Sequence, residues 1–208
     1  VPSGIWGLPK VTIIDLNLNQ FEGPVAPSIG DAKSLAQLLL ANNQFSGELP
    51  QRISEAASLV KIDIASNKLS EEIPARIGNL KKLSYLHLEF NSFSRVVPDS
   101  LGSCASLNDI NLAHNSFSGN IPASLGSLPS LNFLNLSNNQ FVGEIPLSFT
   151  SLPLNLLDLS NNRLVGHIPV SFTIDAFICS FVGNSGPCSE SHRSFRFCSS
   201  AAGLSRPE

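Results

Sequence analysis

The chain has 208 residues, enough to build a full core, and a formal net charge of -3. That balance removes the electrostatic case for a nucleic-acid partner. Charged residues make up only 14 %, so the polar surface falls to Asn, Ser and Gln. No apolar run approaches the roughly 18 residues a spanning helix needs, so membrane contact by this segment is not expected.

From the N-terminus, a short lead-in of Val1–Pro9 precedes the first of seven similar units. Seven asparagines mark them: Asn19, Asn43, Asn67, Asn91, Asn115, Asn139 and Asn162, spaced by 24 residues until a last step of 23. A fixed period of this size is the signature of stacked coils in a solenoid. Each unit reads LxxLxxLxLxxNxFxGxIPxxLGxL, as from Cys104 to Leu128. Ile14, Leu38, Ile62, Leu86, Ile110, Leu134 and Leu157 open an alternation that recurs two residues on, from Leu16 to Leu159. Such alternation predicts a short strand with one face buried.

The asparagine should then turn the chain. Its two donors and its acceptor oxygen suit it to bond backbone groups of its own and the neighbouring coil. Phe21, Phe45, Phe93, Phe117 and Phe141, with Leu69 and Leu164 as substitutes, should stack as an internal spine. The Gly-x-Ile-Pro segment should be extended or at an edge, because proline lacks a donor. The closing xxLGxL should form one short 3₁₀ turn. Glu71 and Arg95 replace the glycine in successive units and should meet as an exposed pair.

The array is assigned to residues 1–173, a C-terminal cap to 174–198 and a disordered, juxtamembrane-like tail to 199–208. In the cap, a Cys188–Cys198 disulfide would staple a loop with little core of its own. Cys104 occupies a leucine column and reads as a buried small hydrophobe. Cys179 is expected either to compete for a cap partner or to remain a free thiol. Asn135-Leu136-Ser137 is a glycosylation sequon.

The side chains that flank the buried leucines should face the inner, concave surface. Their middle column runs Asp15, Leu39, Asp63, His87, Asn111, Asn135 and Asp158. Gln37, Lys61, Tyr85, Asp109 and Phe133 lie on one side, and Glu89, Phe90 and His114 on the other. Aromatics, acids and amides without a deep cavity suit an extended peptide or a protein partner. Asp63, Tyr85, His87, Phe90, Asp109, Asn111 and Phe133 are the candidate contacts. No catalytic role is expected: the chain has no G-x-S-x-G elbow, no H-E-x-x-H and no phosphate loop. His87 with Asp63 lacks the further ligands a metal needs, so no metal or other cofactor is expected.

The segments NLSNNQFVGEIP, LLDLSNNRLVGHIP and SFVGNSGPCS, with Cys198 beyond, resemble the plant leucine-rich-repeat receptor-like kinases. GIWGLPK and SLGSC…LGSLPSLNFLNLS are similar to the HAIKU-type, peptide-hormone-sensing branch. The likeness implies an α/β-type leucine-rich-repeat solenoid, a right-handed superhelix of seven plant-type repeats. Strands would line its concave face and 3₁₀ turns its convex side. It also implies an extracellular or cell-surface module that binds a secreted peptide and a co-receptor ectodomain. The Arg-x-Arg strand with which relatives read a peptide C-terminus is missing, so what remains would be the co-receptor side. Pro187 and Cys179 depart from the family's cap, and the likeness covers only the membrane-proximal end of such a domain. Repeat one lacks a polar cap, so Val1–Pro9 is expected to cover its apolar edge poorly and to favour self-association. A stand-alone secreted inhibitor of a microbial cell-wall enzyme, or an ice binder, is the alternative.

Overall fold

The computed structural model describes residues 1–189 and 198; the tail expected at 199–208 lies outside the described residues. Seven coils stack into a leucine-rich-repeat solenoid. Its concave sheet is parallel and strictly sequential: Ile13–Asp15, Gln37–Leu39, Lys61–Asp63, Tyr85–His87, Asp109–Asn111, Phe133–Asn135 and Leu156–Asp158. Every pairing keeps the repeat register, as with Leu86 opposite Ile110 and Leu134 opposite Leu157. The central residue of each strand is buried and the two beside it face outward. This follows from the twofold alternation of side chains along a strand.

A second seven-stranded parallel sheet follows the asparagine in each coil. It includes Gln44–Glu48, Lys68–Glu71, Ser92–Arg95 and Ser116–Asn120. The Gly-x-Ile-Pro segment is therefore paired where glycine stands, and its Ile-Pro step lies beyond the strand. A residue without an N–H cannot extend the ladder. Short 3₁₀ turns such as Asp99–Ser103 and Ala123–Ser127 close the convex side. Coils approach so closely there that a Cβ on Gly102 would run into the Ser124 carbonyl oxygen.

The asparagines tie successive coils together. The Oδ1 of Asn115 accepts from the backbone N–H of Phe93, 2.9 Å away. Its Nδ2 donates to the carbonyls of Leu88 (3.0 Å), Leu112 (3.2 Å) and Ala113 (3.1 Å). The pattern repeats at Asn43, Asn67, Asn91, Asn139 and Asn162. Asn19, in the first coil, bonds only carbonyls of its own turn. An eighth member is Asn184 of the cap, which accepts from Leu164 N–H and donates to the Leu159 carbonyl. Its step from Asn162 breaks the period, which hid it in the sequence.

The phenylalanine spine is continuous across the central coils. Phe93, Phe117 and Phe141 are fully buried and stack at 6.0 and 6.3 Å between centroids. Full burial of one such ring stabilises by about 1.5–3 kcal/mol. Cys104 is fully buried, its thiol points at the Ile77 carbonyl, and burial pushes its pKa up to about 11.

The two ends are closed differently. At the N-terminal end Trp6 is fully buried, edge-on to Phe45 at 5.9 Å. Val1–Pro9 thus supplies a real core residue, which the expectation of a poor cover left out. Ile13 and Leu18 nevertheless stay exposed. At the C-terminal end, the 3₁₀ segment Asp175–Phe181 continues the ladder without being a strand. Leu159 and Asn161 donate to the Ser180 and Val182 carbonyls, each at 2.7 Å. Phe177 and Phe181 pack on Phe172. Cys188 and Cys198 form a disulfide, and Cys179 is a free, exposed thiol.

Candidate interaction face

The outward rows of the concave sheet come together across adjacent strands. Lys61, Tyr85, Asp109 and Phe133 lie in one row. Asp63, His87, Asn111 and Asn135 lie in the next. Neighbours in a row sit about 4.8 Å apart along the solenoid axis.

Contacts also cross these rows. His87 Nε2 lies 2.9 Å from Asp109 Oδ1, a diagonal pair between strands. Lys61 reaches Asp63 on its own strand at 3.6 Å. The Tyr85 ring stands edge-on to His87 at 6.5 Å. At the strand exits Phe90 stacks flat on His114, 4.2 Å between centroids and 12° from parallel. Both occupy the left-handed region, at φ 56° and 53°. The equivalent residues of other coils, including Asn42, Asn138 and Asn161, share that turn geometry. Asparagine tolerates it, whereas a bulky residue such as phenylalanine is strained there. Phe90 is still 54 % exposed.

The middle column divides into two kinds of residue. Asp15, Asn111, Asn135 and Asp158 each accept, through Oδ1, from the N–H two residues on. These are Asx turns that shape the strand exits. Part of the polarity assigned to recognition therefore has a structural role, including the Asn111 amide oxygen. Asp63 and His87 make no such turn; they meet Lys61 and Asp109 instead. The sequon residue Asn135 is half-buried, and Ser137 is almost fully buried.

Glu89 emerges only from the packing. Its Oε2 is buried without a hydrogen-bond partner. Burial pushes its pKa up; a hydrogen bond from backbone N–H and the nearby His87 oppose this, while Asp63 and Asp109 add to it. In sequence it is one more acid beside a leucine column, and no signal marks it.

Two features lie off this face. Leu147 and Val170, 76 % and 75 % exposed, sit on successive convex turns. With His167, Ile168 and Pro169 they line an apolar hollow of about 530 Å³ beside the cap. The ligand-type atoms of His167, Cys188 and Cys198 lie within 4.8 Å of one another. The two sulfurs are bonded to each other, so no thiolate is on offer to a metal. On the second sheet Arg95 lies 3.9 Å from Glu71, and both are exposed. These residues stand where glycine does in other coils, at φ 65° and 68°.

The geometry defines a class before any comparison: an open, non-enclosed sheet face on a repeat scaffold. Leucine-rich-repeat family models match residues 81–141, 58–80 and 153–173, together half of the chain. The chain belongs to the leucine-rich-repeat family. Among solved structures it is similar to the Arabidopsis receptor kinase HAESA, solved in complex with the peptide hormone IDA and the co-receptor SERK1. The two are 42 % identical with a TM-score of 0.89, over 91 % of this chain and 32 % of that one. It is also similar to the ectodomain of Arabidopsis GASSHO1/SCHENGEN3, solved with CASPARIAN STRIP INTEGRITY FACTOR 2. There the identity is 31 %, the TM-score 0.74, and coverage 96 % of this chain and 26 % of that one. A plant ice-binding protein shares the fold alone, at 24 % identity and TM-score 0.61, over 97 % of this chain and 80 % of that one. The chain spans about a third of the length of the receptor ectodomains it matches. The comparison with curated proteins returned no match.

Proposed function

We propose that this chain is the partner-binding portion of a plant receptor-kinase ectodomain. It engages a secreted peptide along the concave face and a co-receptor ectodomain through its C-terminal repeats. The observation that carries the reading is a set of outward aromatics, Tyr85 and Phe90 exposed and Phe133 half-buried, on and just beyond an open parallel sheet whose core is already satisfied. Exposed aromatics interleaved with Asp63, His87 and Asp109 suit an extended ligand, because rings supply contact area at low entropy cost. The likeness to HAESA, itself solved with a peptide hormone and a co-receptor, supports partners of those two kinds. The apolar hollow at Leu147 and Val170 supplies a second surface near the cap, suited to a protein partner. In this reading the protein lies at the cell surface or is secreted, carries a glycan at Asn135, and works by binding without catalysis. The stand-alone ice-binding alternative draws on a fold likeness, and the outward rows hold Asp, His and Tyr where threonine rows would favour ice.

The test is a screen of the glycosylated protein against synthetic secreted-peptide hormones, with and without a SERK1-type ectodomain. The double change Tyr85→Ala with Phe133→Ala should weaken binding by tenfold or more, on the order of 1.4 kcal/mol or above. Its melting temperature should stay close to that of the parent. A peptide or co-receptor that binds both forms equally well would refute this use of the face.

A further inference from the structure

Asn135 heads the sequon Asn135-Leu136-Ser137, and the fold treats it unlike the ladder asparagines. Asn139, four residues on, spends its Nδ2 on the carbonyls of Leu112, Leu136 and Ser137. Asn135 instead turns its Oδ1 back to accept from the Ser137 N–H at 3.0 Å. The amide is planar, with nitrogen and oxygen on opposite sides, so this bond directs Nδ2 away from the turn. Ser137 is almost fully buried, so the sequon is readable only before this coil folds. Phe133 stands two residues earlier on the same strand, outward and half-buried like Asn135. Residues so spaced share a face of the strand and lie about 6.6 Å apart along it. The next strand places Leu156, 39 % exposed, beside Phe133. The sixth and seventh coils thus present two adjoining outward apolar side chains next to an amide nitrogen outside the ladder.

We propose that Asn135 carries an N-linked glycan whose first N-acetylglucosamine lies flat on the Phe133 ring, which rests on the reading of this chain as a cell-surface or secreted module. Glycosylation joins Asn135 Nδ2 to the anomeric carbon of a lipid-linked diphosphate oligosaccharide. The bond from that carbon to the diphosphate oxygen breaks, the lipid diphosphate leaves, and the amide nitrogen gives up one proton. The first sugar then sits one strand step from Phe133. A pyranose has a face of C–H groups, and the electron-rich face of an aromatic ring attracts it. Stacking also withdraws both surfaces from water. Phe133 becomes a positioning residue that holds a bulky, hydrated group over the sixth coil. The glycan walls off the concave face there. The free track for a ligand runs across Lys61, Tyr85 and Asp109, with Tyr85 a direct contact and Phe133 acting through the sugar it fixes.

The full chain is secreted from a eukaryotic host and also made in the bacterial periplasm, which gives the same sequence without the glycan. Peptide mapping by mass spectrometry should find the glycan on Asn135 of the secreted form. In NMR, the ring and N-acetyl protons of the first sugar should move upfield under the ring current of Phe133. Phe133→Leu should abolish that shift, and Phe133→Tyr should keep it. The glycan should raise the melting temperature by about 2 °C or more, a gain lost in Phe133→Leu and kept in Phe133→Tyr. An unmodified Asn135 overturns the proposal and the expected glycan together. A glycan whose proton shifts and stabilisation ignore Phe133→Leu overturns the stack alone. A peptide that still needs Tyr85 after either result leaves the partner-binding reading standing. A stacked glycan on a chain that binds no peptide supports the proposal and sinks that reading instead.

Discussion

The asparagine column and the outward rows of the concave sheet share one period and lie only a few residues apart. They behave oppositely. Each of the six asparagines from Asn43 to Asn162 closes the same backbone bonds between neighbouring coils, so the same residue recurs at every such step. The outward positions have no common backbone demand. They hold Lys61, Tyr85, Asp109 and Phe133 in turn, and their contacts run diagonally between neighbours. A periodic position reports what the scaffold needs, whereas departures from the period report what the scaffold leaves open.

Changes to the repeating columns should cost stability, and changes to the outward rows should not. The largest effect is expected at the spine. Phe117→Ala leaves a cavity between Phe93 and Phe141 and should lower unfolding stability by about 3–5 kcal/mol in urea titration. Asn115→Ala orphans the Phe93 N–H, whereas the Leu88, Leu112 and Ala113 carbonyls keep a second donor in Asn91, Asn139 and the Phe90 N–H. It should cost about 1–3 kcal/mol by the same measurement, the penalty for one buried group left unsatisfied.

Arg95→Gly tests the comparison from the opposite side, since it restores a periodic residue. Arg95 sits at φ 65° and gains only an exposed 3.9 Å pair with Glu71. Relief of the left-handed strain should outweigh that pair and the added chain entropy, for a net gain of about 0.5–1 kcal/mol in thermal melts.

The smallest effect is expected at Glu89. Its folded pKa is raised, chiefly by burial. The native state therefore holds the proton more tightly than the unfolded one, and the carboxylate destabilises as pH rises through the folded value. Glu89→Gln should stabilise the fold slightly at neutral pH, by less than about 1 kcal/mol given the partial exposure, read as a small rise in melting temperature. The gain should vanish below the ordinary glutamate pKa.

The repeat, the buried strand centres, the spine and the 3₁₀ turns were legible because each is a local pattern copied to the next coil. The second sheet was not, because a segment rich in glycine and proline carries little strand propensity and pairs only when coils stack. Asn184 was missed because the cap shifts it out of register while its side chain makes the same bonds. Alternation put Tyr85, His87, Asp109 and Phe133 on one outward face, and there they adjoin. Their alternation does not say that Asn111 and Asn135 turn their oxygens back onto the chain.

The amino-acid sequence by itself determined a seven-coil leucine-rich-repeat solenoid and the set of side chains its concave sheet displays. Hydrophobic periodicity is a nearest-neighbour property, and a solenoid is built from nearest-neighbour contacts alone. Only the tertiary structure decided how charge is distributed over that display. Pairing of His87 with Asp109 and of Lys61 with Asp63, and the burial of Glu89, depend on distances between coils and on exclusion of water. No linear pattern encodes either quantity.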